Sequence, residues 1–581
     1  MRQPSFIPSL LALIHVPASA ATFLAAPGPG NSAIHLRQAI NDANANPGPD
    51  TVVVAAGNYE IESPGSDDNG SEGDLDISDD LVIQGAGAGS TFLDGAGIAR
   101  LLDIHGPSAV TMSGLTLRNG DDSEGGAIRI SDGSLVASGC EILGSRATRG
   151  GGIYAFDSSV ELIDCVVGEN SVSPGTSAQG GGIYYRDETG GGLLKITGSI
   201  IRGNSATDDG GGIENYEGNV EITRSTVRGN SSGDDGGGIE NDNHADGGFL
   251  TVCDCAFLEN TAVNGGAIDN DGIATLVNTT ITGNTATGTD EQGWGSGGIR
   301  VSEDSKSGTS LTLTHCTLFG NLAQSDGASP EAGDIGNVST KGARIEIQNS
   351  IVGSGYTDLT LSSGVPGSMR SRGSNIFEDD SGFNKTLESG APADLVADPA
   401  LDLLCDNGLA GHAHLTPLAG SPAIDGGNDS SGPSLDQLGQ ARIDGDNDGS
   451  VLPDIGAVES PGVLFETWRA LRFDPAQRAD CGISGPHADP DGDSRENLGE
   501  FQGDTDPLSG SSFLRAIAGV GGVTIPDSST ARSYTLLRSP DLDEIWTPVL
   551  GPVPGNGGDL ILADPEPAGT RCFYRVSAAL P

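Results

Sequence analysis

The chain has 581 residues, with 80 acids against 29 bases for a net charge of −51, and 91 glycines beside 4% aromatics. A surface this acidic repels nucleic acid and anionic lipid. Adding Gly to the 35% apolar fraction gives about half the chain, a normal globular share, so glycine content alone does not argue disorder.

The N-terminus, MRQPSFIPSLLALIHVPASAATF, sets one Arg before a broken apolar run and then Ala18-Ser19-Ala20. This pattern predicts a secretion signal over residues 1–20, cut after Ala20. No later run is apolar for long enough to span a bilayer, so no integral membrane segment is expected. Export permits disulfides among Cys140, Cys165, Cys253, Cys255, Cys316, Cys405, Cys481 and Cys572, whose spacing fits no zinc pattern. The pairing is not fixed by the sequence. Stacked Cys140 and Cys165 read best as buried free thiols, because their side chains would run parallel.

Residues 21–100 read as an N-terminal cap and first rungs, and residues 101–360 as a repeat. GGGI-like stretches recur at Ile128, Ile153, Ile183, Ile213, Ile239, Ile268, Ile299 and Ile335. Each precedes a block such as VEITRSTVRGNSS or LTLTHCTLFGNLA. Alternating apolar pairs (Val160 and Leu162, Leu194 and Ile196, Val220 and Ile222) predict half-buried strands. A small column follows: Gly114, Cys140, Cys165, Ser199, Ser225, Cys255, Thr279, Cys316, Ser350. The alternation slips there by one residue, which predicts a corner. Asp164, Gly198, Arg224, Asp254, Asn278, His315 and Asn349 just before it would turn left-handed. Five residues after the small column stand Asn119, Asn170, Asn204, Asn230, Asn260, Asn284 and Asn321, expected to stack at a second corner. Such a unit buries its apolar face only by stacking on copies of itself. The fold expected is all-β: a right-handed parallel β-helix of the pectin-lyase-like solenoid kind. Nine rungs at about 4.8 Å make a rod on the order of 40 Å long.

Phe257–Asn260 (FLEN) and Gly265–Ile268 (GGAI) resemble the F-x-x-N and G-G-A-I tetrapeptides of polymorphic outer-membrane-protein repeats. Leu36-Arg37-Gln38-Ala39-Ile40 through Ala43-Asn44 resembles the helical N-terminal cap of such proteins, with Gln38 in place of the usual Glu. Residues 361–460, read as the C-terminal part of the β-helix, resemble the choice-of-anchor Q module, with Asp436, Gln437, Gly439, Arg442, Asp454 and Glu459 in its places. That resemblance implies an extracellular or cell-surface β-helix and no defined reaction. Residues 461–512 form an acidic linker similar to thrombospondin type-3 calcium linkers. Residues 513–581 alternate as a small antiparallel β module of sandwich type.

Three sets of residues carry chemistry. The residue after each ladder isoleucine runs Arg129, Tyr154, Tyr184, Glu214, Glu240, Asp269, Arg300. With Ile pointing inward, this column is expected to point outward as a solvent-facing ridge. Stacked carboxylates at Glu214, Glu240 and Asp269 repel by about 1 kcal/mol per neighbouring pair in water and about 3–4 kcal/mol at an effective dielectric of 20. Screening, a bound cation or a raised pKa would relieve this. They are the candidates for catalysis, with Tyr154, Tyr184 and Arg300 for substrate binding. In DPDGDSRENLGE, Asp489, Asp491, Asp493 and Glu500 take positions 1, 3, 5 and 12 of an EF-hand-type loop, with Ser494 where Gly is usual. In DGDNDG, Asp444, Asp446 and Asp448 offer a weaker calcium set. The triple glycines are not a phosphate loop, since no Lys-Ser or Lys-Thr follows and two Asp precede them.

Together these readings lead to a secreted or cell-surface binding or structural protein. It would be adhesin-like, calcium-stabilised and monomeric, with an extracellular polysaccharide or another surface component as partner. The alternative is a polysaccharide lyase or glycoside hydrolase on the same fold.

Overall fold

The computed structural model describes residues 20–65, 70–173, 175, 178–242, 248–288, 295–302, 308–324, 333–337, 343–353, 359–361, 368–379, 385–428, 432–442, 451–478, 480–503, 505–509, 517–519, 522–526, 528–530, 532–539, 546–565 and 573–579. Asp444, Asp446, Asp448, Cys572 and the signal segment before Ala20 lie outside them.

Residues 22–396 wind into a parallel β-helix with three faces. A long-strand sheet has 14 described strands, from Thr22–Ala25 to Lys385–Leu387. A short-strand sheet has 13, from Gly57–Glu60 to Leu395–Val396. A turn sheet, whose strands open after the glycine triplets, has 11, from Leu75–Ile77 to Leu359–Leu361. Every pairing within these sheets is parallel and in register; Val160, Leu194, Val220, Leu250, Ala274, Leu311 and Ile345 follow one another up the rod. The rod is longer than the nine rungs expected, roughly 60 Å at about 4.8 Å per strand. The count of nine left out the outer rungs, expected within residues 21–100 and 361–460, because they lack the GGGI signature.

The corners explain the slip in alternation. Asp164, Gly198, Arg224, Asp254, Asn278, His315 and Asn349 all have positive φ, between 46° and 60°. A left-handed residue here reverses the facing of the next strand and joins the long-strand to the short-strand sheet. The small column just after it is tied rung to rung. The hydroxyls of Ser199, Ser225 and Ser350 accept from the N–H of Cys165, Ser199 and Cys316 at 3.0–3.1 Å. Cys140, Cys165, Cys255 and Cys316 are buried free thiols in this column.

The asparagine ladder is the longest polar feature of the interior. Each Nδ2 of Asn170, Asn204, Asn230, Asn260 and Asn284 donates to the next Asn Oδ1 at 2.8–3.0 Å, and Asn321 ends the series on Asp334. Each Oδ1 also accepts the backbone N–H of the preceding Asn, as Asn230 does from Asn204 at 2.9 Å. Two entries of the expected columns are displaced by one residue. Gly114 (φ +64°) is a corner residue, with Leu115 buried in the small column. Asn119 (φ +55°) is an exposed corner residue bonded to Asp94, and Ser145 stands at the foot of the ladder. These rungs are all 25 residues long; the reading slipped because Leu115 is not small and Gly114 beside it is. A second ladder, Asn215–Asn241–Asn270, runs inside the turn sheet at 2.7 Å per step.

The ends are closed by the two flanking motifs. Helix Ile34–Ala45 buries Leu36, Ala39, Ile40 and Ala43 over the open first rung, which would otherwise present strand edges. Arg37 and Asn44 bond the carbonyls of Asp74 and Asp76. Residues 401–460 add no parallel rung among the described residues. They fold back as a strap along the outside of the short-strand sheet. Gln437 accepts from Thr280 at 2.6 Å and donates to the carbonyls of Gly411 and Ala413. Asp436 caps Leu438, Gln440 and Glu459, while Arg442 pairs with Glu459. Asp454 accepts from Asp425 and Ser460. The motif residues of the anchor-like segment are therefore strap fasteners. Cys405 and Cys481 form a disulfide that ties this strap to the linker region. There, Phe465, Trp468, Phe473 and Phe501 make a separate aromatic core. The last module has two three-stranded antiparallel sheets around Val523, Ile525, Tyr534, Leu536, Leu560 and Leu562.

Removing a mid-ladder amide strands several buried partners at about 1–3 kcal/mol each. Asn230→Ala should therefore lower stability by roughly 3 kcal/mol in chemical denaturation, whereas exposed Asn119→Ala, which adds only the strain of a left-handed alanine, should lower it by about 1 kcal/mol. Equal effects would remove the ladder from its structural role. For the strap, Gln437→Ala leaves one hydroxyl and two carbonyls without their partner. A loss of roughly 2 kcal/mol is expected, with faster proteolysis of residues 401–460; unchanged proteolysis would show that Gln437 does not fasten the strap.

Candidate functional site

The column Arg129–Tyr154–Tyr184–Glu214–Glu240–Asp269–Arg300 is in register on the turn sheet. It faces away from the apolar core, as expected from the inward isoleucines. The expectation that it meets solvent fails. Glu214 and Asp269 are fully buried, and Glu240, Tyr154, Tyr184 and Arg300 are each exposed by 7% or less.

The cause is the glycine turn. Gly210 and Gly236 have φ of +64° and +63°. A Cβ on Gly210 would stand 2.7 Å from the Glu214 Cα, and one on Gly236 would stand 2.5 Å from the Glu240 nitrogen. Only glycine lets the turn lie this close on the strand that follows it. The residue before each glycine then forms a wall over the column. Asp209 is the acid that acts most strongly on Glu214, and Asp235 acts on Glu240 next after Asp269; each stands five residues earlier in the chain than its partner. Sequence reasoning quoted both Asp residues without giving them a role. Their repeat at a fixed offset from the acidic column was the available signal.

Five carboxyls thus lie along three successive rungs and their turns: Asp209, Glu214, Asp235, Glu240 and Asp269. One cation among the described side chains serves them. Arg300 Nη1 lies 2.5 Å from Asp269 and 3.2 Å from Asp235. Ser302 donates to Asp269, Gln179 to Asp209 and Asn264 to Asp235. Neither carboxylate oxygen of Glu214, nor Oε2 of Glu240, has a hydrogen-bond partner among the described residues. Burial, reinforced by neighbouring acids, pushes Glu214 and Glu240 well above the usual carboxylate range. Burial also raises Asp209 to about 6, and Asp269 to about 8 against the pull of Arg300.

The two tyrosines named for substrate binding do not offer open faces. Tyr154 and Tyr184 stack on each other at 5.3 Å and 2°, Tyr216 stacks on Tyr184 at 6.3 Å, and the Arg149 guanidinium stands 5.9 Å from the Tyr184 ring. In-register stacking of like residues fills those faces from within the protein. Arg300 is likewise committed to Asp269 and Asp235. At the other end of the column, Arg100 joins Asp74, Asp103 and Asp122, a cluster that sequence reasoning missed because the early rungs were not aligned.

The linker loop brings three of its four expected residues together, with Glu500 outside the group. Asp489, Asp491 and Asp493 offer oxygens within 4.8 Å of one another. Asp489 accepts from the N–H of Gly492, Asp493 and Ser494, folding the loop around its first acid. Ser494 has φ +71°, the left-handed turn usually supplied by Gly at that position. Glu500 lies in helix Asn497–Gly503 and is fully buried; Thr505 donates to its Oε1 at 3.0 Å. Its Oε2 and Asp491 Oδ2 are buried without a described partner. Burial, Asp491 and Asp493 raise Glu500 to about 7. An all-oxygen set with orphaned carboxylate oxygens fits a hard divalent cation.

No protein-family model matches the chain, and no curated protein matches it. Two solved structures are similar at the level of the chain path. Pectate lyase Pel9A is 14% identical with a TM-score of 0.33, over 76% of this chain and 98% of that one. The catalytic unit of the thermostable GH87 alpha-1,3-glucanase from Streptomyces thermodiastaticus strain HF3-3 is 14% identical with a TM-score of 0.35, over 66% of this chain and 68% of that one. The fold assignment rests on the ladders themselves.

Proposed function

We propose that the chain is an exported extracellular or cell-surface β-helix with a binding and structural, adhesin-like role, and that calcium stabilises its C-terminal part. An extracellular polysaccharide or another surface component is the partner class. The observation that carries the reading is the burial of Glu214 and Asp269 beneath their own glycine turns. A general acid or base must come within about 3 Å of the reacting atom, directly or through one water. A polymer chain cannot approach these carboxyls so closely without displacing the turns. The Cys405–Cys481 bridge suits an oxidising compartment.

Calcium in the linker would be held by Asp489, Asp491, Asp493 and Glu500. There it cancels the repulsion among four acids and joins the helix bearing Glu500 to the loop before it. Binding to the folded state alone adds about 2.7 kcal/mol at a calcium concentration a hundred times Kd. EDTA should therefore lower the unfolding temperature, and Glu500→Gln should shrink that shift; a melt indifferent to EDTA would remove calcium from the account.

A panel of acidic and neutral polysaccharides separates binding from catalysis. Retention on one or more polymers is expected, with no unsaturated products and no new reducing ends. Turnover that disappears in Glu240→Gln would overturn the binding reading in favour of a lyase or hydrolase.

A further inference from the structure

Glu214 is fully buried, and it is the one described side chain whose two carboxylate oxygens are both buried without a hydrogen-bond partner. The acids that act on it are Asp209 first, then Asp242, Asp235 and Asp208. Protonation would remove its charge but not the deficit, because a carboxylic acid still needs an acceptor for its proton and a donor for its carbonyl. The turn outside it adds further charge. A Cβ on Gly210 would stand 2.7 Å from the Glu214 Cα and 2.8 Å from its Cβ, so Asp208 and Asp209, just before that glycine, are held against this strand. From the next turn the Asp234 N–H donates to the Asp208 carbonyl at 3.1 Å. Side-chain oxygens of Asp208, Asp209 and Asp234 then lie within 4.8 Å of one another. Gln179 donates to Asp209 at 2.9 Å. No described Arg or Lys pairs with Asp208 or Asp209, and Arg300 is committed to Asp235 and Asp269.

We propose that Asp208, Asp209 and Asp234 bind one calcium ion on the outer side of this turn, with the Glu214 carboxyl behind it. The donor set is oxygen only, which disfavours the metals that take imidazole or thiolate ligands. Two ligands of one ion, each at calcium's distance of about 2.4 Å, can stand at most about 4.8 Å apart, and all three acids meet that limit. Magnesium, at about 2.1 Å, lowers the limit to about 4.2 Å and demands a near-ideal octahedron, which acids from two separate turns do not preset. Asp208 and Asp209 are half-buried and Asp234 is exposed, so the ion can enter from solvent and keep waters in the positions the acids leave open. Calcium takes about six to eight ligands. Its waters bring O–H donors to the side of Asp209 where Glu214 has none, and its charge opposes that of the acids around Glu214. The site belongs to the rod and shares no residue with the linker loop, so its failure would leave the reading of that loop untouched.

The test uses the full chain, stripped with chelator, with the linker loop disabled by Asp489→Asn and Asp491→Asn, and calcium is titrated calorimetrically. Adding Asp208→Asn and Asp234→Asn to this background should remove one calcium per chain. Neither side chain is part of the core, so the variant is expected to fold. Unchanged stoichiometry would overturn the site, as would a background protein that binds no calcium at all. Glu214→Gln, made alone in the same background, removes a charge and no ligand. The number of ions bound should stay the same while the affinity of one falls at least fivefold, and the calcium-free protein should melt at a higher temperature. An unchanged affinity counts against the site. Should Glu214→Gln fail to fold, Asp209→Asn replaces it, with at least a tenfold weaker affinity expected; unchanged affinity there would also overturn the site.

Discussion

Every part of the rod depends on one constraint: each rung must superpose on the next in parallel register, so that a residue meets its own kind about 4.8 Å away. The constraint rewards some residues and penalises others. Isoleucine on isoleucine excludes water, and asparagine on asparagine is self-complementary, since each amide has both a donor and an acceptor along the stack. That is why the ladder from Asn170 to Asn321 runs unbroken through five pairings. Tyrosine on tyrosine packs as well, and its success removes the ring faces from any ligand. Carboxylate on carboxylate is the one stack that repels, and the column at Glu214–Glu240–Asp269 places it where solvent cannot screen it.

The solenoid was legible because its signals are local and repeated. Period-two alternation, a slip in parity and a run of Asp, Asn, Gly, Arg and His at one position were enough to place a left-handed corner, and all seven residues named there have positive φ. Arg224 and His315 are the informative cases. Neither favours that conformation, so position in the repeat outweighed residue preference. The columns slipped at Gly114 and Asn119 because in an equal-length rung the small-column place is held by Leu115, so the adjacent small residue and asparagine mimicked the pattern one place early. Rungs before Ile128 and after Ile335 were less legible for a related reason: a ladder needs only apolar or small residues at the right spacing, and these rungs do so without glycine triplets.

Burial of the acidic column was not legible, and the reason is physical. Facing away from the core and facing water are different properties. Strand periodicity reports only the first. The second depends on what folds over the outer face, here a turn made of the glycines just before each strand. The sequence DDGGGIEN contains both halves of that arrangement: the second Asp becomes wall, Gly210 or Gly236 the close contact, and Glu the enclosed carboxyl. The strap shows the same limit from the other side. Gln437, Asp454 and Glu459 could be recognised as a motif, but only long-range packing shows that Gln437 and the Ala457 N–H bind the chain to the short-strand sheet at positions some 140–160 residues earlier, while Asp454 and Glu459 hold the strap to itself.

The acidity of the chain gains a local meaning from these placements. A net charge of −51 spread over a solvated surface costs little at physiological salt, because charges beyond about 8 Å are screened. The same charge enclosed costs far more, as in the linker loop around Glu500 and the column around Glu214. Both leave carboxylate oxygens without a described donor, both use oxygen ligands alone, and both sit where chain segments must be held together, strand to turn in one case and loop to helix in the other. A stretch of hydrophobic core could have joined either pair. It would do so in any medium, whereas buried acids at these joints make the strength of the structure depend on what answers their charge.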